Sequence, residues 1–113
     1  MRPFVTARRR ATTLETVLVS VTDSDGVTGW GEAPTSWRVT GESAASVEAV
    51  VRGPLGDAAL GLDPLDTDAA SERIADAVVG NAAARSAVES AVVDLAAHAS
   101  GATLARFLGA AVG

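Results

Sequence analysis

There is no cysteine and no lysine in this sequence, a single histidine, and only four aromatic residues, Phe4, Trp30, Trp37 and Phe107. Without cysteine, neither disulfides nor thiolate metal sites can form, and a cytoplasmic location is the default expectation. No apolar run approaches the roughly 20 residues that span a bilayer, so no membrane partner is expected. The N-terminal residues lack the charged-then-apolar order of a secretory signal. One histidine, His98, makes no persuasive Ser-His-Asp arrangement. The cations are nine arginines, outweighed by acidic residues to a net charge of −5. Phosphate contacts supply most of the affinity for nucleic acids, so no nucleic-acid partner is expected of so acidic a chain.

What is present reads as one domain. The 113 residues are 48% apolar, mostly alanine, valine and leucine. Alanine favours helices but buries little area per residue, so the core should be thin and helix-friendly. Residues 14–22 alternate Val17, Val19 and Val21 against Thr16, Leu18 and Ser20, the period of a half-buried strand. Asp23-Ser24-Asp25-Gly26 supplies turn chemistry, and a second strand through Val27–Ala33 completes an antiparallel hairpin. The period then changes. Residues 42–52 read as a helix with Ala45, Val47, Val50 and Val51 inward, ending near Gly53-Pro54, with a helical turn at 55–60. Asp63 ahead of Pro64 predicts a capped helix running to Val79 that buries Leu65, Ala70, Ile74, Ala77 and Val78. Gly80 would stop that helix and Asn81 would cap the last one, 82–99, which buries Ala84, Val88, Ala91, Val92 and Leu95. The fold class expected is α+β: an antiparallel meander of two to three strands, then about three helices.

The most telling stretch is Gly29-Trp30-Gly31-Glu32-Ala33-Pro34, with Thr40-Gly41-Glu42 just behind it. A dinucleotide site is excluded, because that fingerprint needs a third glycine opening a helix. The two glycines instead suit close backbone approach in the sheet, with Trp30 expected to pack on the helices. Together with Gly80-Asn81 and the run Leu104-Ala105-Arg106-Phe107-Leu108-Gly109, these motifs resemble the N-terminal capping domain of the enolase superfamily. The resemblance is to the mandelate racemase and muconate-lactonizing group, nearest its dipeptide epimerases, and runs from Pro3 to Gly109. Thr35 and Thr103 depart from it, since the family usually has proline at both positions.

The resemblance implies a substrate-specificity capping domain that is not catalytic alone. The chemistry would sit in a barrel expected where this chain stops, so a missing or separately supplied barrel is the implied partner. The parent activity would be Mg-dependent epimerisation of dipeptides, with muconate cycloisomerase and N-acylamino acid racemase as alternatives. Two barrel lysines would move the proton; this chain has none, and it is expected to hold no catalytic residue, no metal and no cofactor of its own. Two loops would choose the substrate. In the first, Phe4–Thr12, Phe4 matches an aromatic wall, Thr6 lies between, and Arg9 stands where a guanidinium would fork onto an acidic substrate side chain. In the second, Pro34–Gly41, Trp37 and Val39 would pack on the ligand. The family's first strand would precede Pro3-Phe4, where only Met1 and Arg2 stand, so either the true start lies further upstream or the sheet is short of a strand and exposes an edge. The plainer readings stand beside these. Three consecutive arginines are ordinarily solvated charge, and Trp37 would serve equally as a loop anchor. Glu32 would pair with an arginine, Asp94 with a backbone group or an arginine, and His98 with the helix dipole. Asp63, Asp66 and Asp68 suit caps and first turns better than a calcium loop. A free-standing binding or dimerisation module derived from such a domain is the alternative function.

Overall fold

The computed structural model describes residues 4–10, 16–36, 40–60, 63 and 65–101, with the backbone alone for 4–10. Three strands, β1 (Phe4–Arg10), β2 (Thr16–Thr22) and β3 (Thr28–Pro34), form one antiparallel sheet in the order β1-β2-β3. The register pairs Arg9 with Val17, Phe4 with Thr22, and Ser20 with Trp30. The expectation of a loop over Phe4–Thr12 is corrected here: residues 4–10 form a strand, and the sheet has three, within the two to three expected. The outer backbone groups of β2 need partners, and an extended segment that supplies them outweighs the preference of three arginines for solvent.

The hairpin forms as its residues dictate. Val17, Val19 and Val21 are fully buried, while Thr16, Leu18 and Thr22 are only partly covered. Asp23 closes the turn by accepting from the N–H groups of Asp25 and Val27, both at 2.9 Å, and Gly26 takes φ 85°. No side chain with a Cβ adopts that conformation cheaply.

Among the described residues four α-helices follow, α1 (Ala44–Val50), the short α2 (Gly56–Ala59), α3 (Thr67–Ala77) and α4 (Ala82–Ala99), with a π-helical stretch Val51–Leu55 between the first two. Ser43 and Ser46 start α1 with a reciprocal capping box, at 3.1 and 2.9 Å. This turns Ala44 and Val47 inward and leaves the expected inner residue Ala45 exposed. The helical path breaks at Gly53-Pro54 as expected, because Gly53 at φ −102° and ψ −113° leaves the helical region. The start of α3 is three residues later than expected. Asp63 accepts from Leu65 N–H in a turn of its own, and Asp66 caps the helix through Ala69 N–H at 3.1 Å. Leu65 consequently stays 54% exposed, whereas Ala70 and Ile74 are buried as anticipated. Helix α3 ends at Ala77 with Val78 extended, so Gly80 belongs to the reversal and not to a helix cap. Helix α4 has the expected bounds and buries Ala84, Val88, Ala91, Val92 and Leu95 together with Ala87, Ala96 and Ala97.

The core lies between the sheet and α4, closed by Val47, Val51, Leu55 and Ile74. Helix α4 packs chiefly on β3 and then on β2. The glycines explain how closely. A Cβ on Gly31 would fall 1.9 Å from the carbonyl oxygen of Ala87, and one on Gly29 would fall 2.1 Å from that of Ala91. The close approach is therefore between helix and strand, not between strands. With Gly29, Gly31 and Ala33 facing α4, the period of two turns Trp30 to the other side of the sheet, where it is 46% exposed. Trp30 packing on the helices is thus not observed. Among the described residues, no helix is long and apolar enough to cross a membrane.

Gly31→Ala is expected to lose about 3 kcal/mol, because its clash is with backbone that cannot rotate away. Urea unfolding of the two proteins would check this; an unchanged midpoint would mean that α4 rides further from β3 than its geometry indicates.

Candidate functional site

Two clasps hold the loops and helix ends of this domain. The first belongs to Glu42. Although 97% of its surface is covered, as its 3% exposure implies, both carboxylate oxygens are used. Oε1 accepts from Ala83 N–H at 2.8 Å and Oε2 from Ala84 N–H at 3.0 Å. These are orphan donors in the first turn of α4, where the helix dipole also favours negative charge. Asn81, expected to cap this helix, does not. It takes φ 54°, makes no side-chain cap, and donates Nδ2–H to Val79 O at 2.9 Å. The cap comes instead from a residue 41 positions earlier in the chain.

Glu42 also ends the second candidate loop. Ser36 and Glu42 form an isolated antiparallel bridge. Ser36 O accepts from Gly41 N–H at 2.9 Å, Thr40 N–H at 3.2 Å and the Thr40 hydroxyl at 3.3 Å. Gly41 makes the closing turn at φ 72°. The loop is pinched at its base by these bonds. Trp37 and Val39, the two residues of this loop expected to contact substrate, lie outside the described residues.

The second clasp closes the outer edge of β3. Asp94 Oδ2 accepts from Trp30 N–H at 2.9 Å, and His98 Nδ1 lies 3.0 Å from Thr28 O. A carbonyl oxygen can only accept, so Nδ1 carries the hydrogen and donates it. His98 Nε2 stands 3.5 Å from Asp94 Oδ1 one helical turn away. These two side chains take the hydrogen-bonding places of a neighbouring strand, which blunts an edge that would otherwise invite pairing. Asp94 thus has the backbone partner anticipated for it. His98 has a specific carbonyl partner in place of a general interaction with the dipole.

Of the residues expected to contact substrate, Phe4, Thr6 and Arg9 lie in β1 rather than in a loop. A strand rises about 3.3 Å per residue, so Phe4 and Arg9 stand about 17 Å apart along it, more than a dipeptide spans. The strand does not bring them together. An open depression lined by Pro54, Asp57, Ala58, Arg73, Asp76 and Ala77 includes none of the expected residues. Among the described residues, no group of three or more His, Asp or Glu side chains could hold a metal ion.

A three-stranded antiparallel sheet backed by helices, with the last helix in backbone contact with the third strand, defines an α+β domain of a kind found in larger enzymes. The structure aligns with 2-chloromuconate cycloisomerase from Rhodococcus opacus 1CP at a TM-score of 0.83 and 30% identity, covering 95% of this chain and 31% of that one. It aligns with a substrate-liganded L-Ala-D/L-Glu epimerase from Bacillus subtilis at a TM-score of 0.80, covering 94% and 30%. By sequence this chain is 38% identical to the Bacillus subtilis epimerase over 108 residues, 96% of this chain and 30% of that protein. It is 37% identical to chloromuconate cycloisomerase from Cupriavidus pinatubonensis over 90 residues, 76% of this chain and 24% of that protein. Residues 1–109 match the family described as the mandelate racemase / muconate lactonizing enzyme, N-terminal domain, and the chain belongs to that family. It spans about 30% of the length of the epimerase relative.

Sequence reasoning marked Thr40-Gly41-Glu42 as a signature but gave Glu42 no physical task. The signal available was an acidic residue directly after a glycine and before a helix that already has its own serine cap. Glu42→Ala should cost about 2–3 kcal/mol, since it leaves two N–H groups at a partly buried helix start unpaired. Asp94→Ala should cost about 1 kcal/mol and speed amide exchange at Trp30. Thermal melts, with amide exchange for the second variant, would check both expectations.

Proposed function

We propose that this domain is the substrate-specificity cap of a dipeptide epimerase-like enzyme, closing over a catalytic barrel and carrying no catalytic group itself. The observation that carries this reading is the pinched loop at 36–42, whose base is bonded to Ser36 O and whose last residue is fastened to α4. In this reading Trp37 and Val39, which stand between Ser36 and Thr40 in the sequence, pack on the ligand. The epimerase relative supports a dipeptide over a muconate substrate, because its similarity extends over 96% of this chain against 76% for the chloromuconate enzyme.

In this reading Phe4 walls the pocket, with Thr6 beside it, and Arg9 binds the acidic side chain of an Ala-Glu-type dipeptide. A guanidinium offers parallel donors that match a carboxylate, so it discriminates by geometry as well as charge. The proton transfers belong to the barrel. A general base that takes a proton beside a carboxylate is a lysine in the resembled enzymes, and this sequence has no lysine.

The test is a chimera in which residues 1–109 replace the corresponding domain of the Bacillus subtilis epimerase. It is expected to epimerise L-Ala-L-Glu. Arg9→Met in the chimera should raise KM for that dipeptide about tenfold or more, as for loss of a charge-assisted hydrogen bond, while apolar dipeptides change little. A folded chimera inactive on every dipeptide tried would overturn the reading. The 113-residue chain alone, with magnesium in D2O, should exchange no α-proton of L-Ala-L-Glu. Exchange above the enzyme-free rate would show that the chain carries catalytic groups after all.

A further inference from the structure

We infer that the outer edge of β1 is an interaction surface for a second copy of this chain, joined antiparallel about Ala7. Such pairing does not depend on the capping reading. The direction of each backbone group follows from the clasp on β3. Trp30 N–H is bonded to Asp94 and Thr28 O to His98, so both residues turn their backbone groups away from β2. Hydrogen-bonding direction alternates along a strand, so Gly29, Gly31 and Ala33 bond toward β2, to Val21, Val19 and Val17. On its other side β2 is left with Thr16, Leu18, Ser20 and Thr22, which stand opposite Arg10, Arg8, Thr6 and Phe4 of β1. The N–H and C=O groups of Val5, Ala7 and Arg9 therefore point outward. No strand among the described residues pairs with that side of β1.

The two edges of the sheet are not equivalent. On β3, Asp94 and His98 occupy Trp30 N–H and Thr28 O, and Pro34 has no N–H to offer. Strand β1 is as long as β3 and contains no proline. Charge selects both the occupant and its register. The first half of β1, Phe4-Val5-Thr6, is uncharged and the second half, Arg8-Arg9-Arg10, is cationic throughout, so the strand complements itself when reversed. An antiparallel pair centred on Ala7 sets Arg8 opposite Thr6, Arg9 opposite Val5 and Arg10 opposite Phe4 of the second copy. Every outward backbone group of Val5, Ala7 and Arg9 then has a partner. Moving the centre to Arg8 would set arginine directly against arginine, which destabilises a strand pair. Moving it to Thr6 would carry Arg9 beyond the end of the other strand. With the β3 edge closed, association stops at two copies related by a twofold axis.

Sedimentation equilibrium of the 113-residue chain and three variants tests this surface. The native chain should pass from one copy toward two as its concentration rises, and go no further. Ala7→Pro deletes an N–H that points away from β2, so the sheet within each copy keeps its pairing. It should weaken the dimer about tenfold or more, because the twofold axis removes the bond from both copies, and leave the circular dichroism spectrum unchanged. Thr6→Asp and Thr6→Arg read the register through charge alone. Opposite Arg8 of the second copy, the first should tighten the dimer severalfold and the second loosen it, and both effects should shrink as salt is added. This opposed pair decides the matter should Ala7→Pro fail to fold. A native chain that remains monomeric up to about 1 mM, or that grows past two copies, would overturn the pairing. So would a folded Ala7→Pro that dimerises as tightly as the native chain, or Thr6 variants that shift the equilibrium in one direction or not at all.

Discussion

Helix α4 lies on strand β3 with backbone against backbone, and most of the domain follows from that contact. Gly29 and Gly31 leave no room for side chains between the carbonyls of Ala87 and Ala91 and the strand. A core made of alanine and valine has little area per residue, so it gains by bringing its layers close together. Close approach also puts short side chains within reach of backbone. Asp94 and His98 bond directly to Trp30 N–H and Thr28 O only because the helix runs so near the strand edge. The same contact dictates that Trp30, between the two glycines, points away from the helices.

Glu42 adds a second constraint at the other end of α4. A carboxylate nearly removed from water is ordinarily costly, and here two N–H groups at the positive end of a helix offset the cost. The start of α4, the end of the 36–42 loop and the start of α1 thereby become one fastened unit.

How far the sequence could be read depended on whether a signal was local. The alternation of Val17, Val19 and Val21, the Asp-Gly turn and the three-and-four spacing along α4 each depend on one element burying one face. All three were legible. Where two nearby residues competed for one role, the choice was not. Asp63 and Asp66 are equally good caps, and the turn that Asp63 forms with Leu65 N–H left the helix to Asp66. Three arginines made 4–10 look like solvated loop, although Phe4, Val5 and Thr6 suit a strand, and the need of β2 for a partner prevailed. Of the candidate site, the reversal that returns Thr40 and Gly41 to Ser36 was legible as part of the loop Pro34–Gly41. The separation of Phe4 from Arg9, which depends on pairing, was not.

By itself the sequence determined the fold class, the buried faces of β2 and α4, and the family, because period, turn residues and glycine motifs are properties of short segments. It also determined that no lysine or thiol chemistry resides in this chain. Tertiary structure alone decided which helix the glycines admit, which way Trp30 faces, and which residue caps α4. Each of those outcomes is a contact between groups far apart in the chain, such as the bond from Ala84 N–H to Glu42 across 42 residues. A local propensity offers several partners for such a group, and only the packed arrangement selects one.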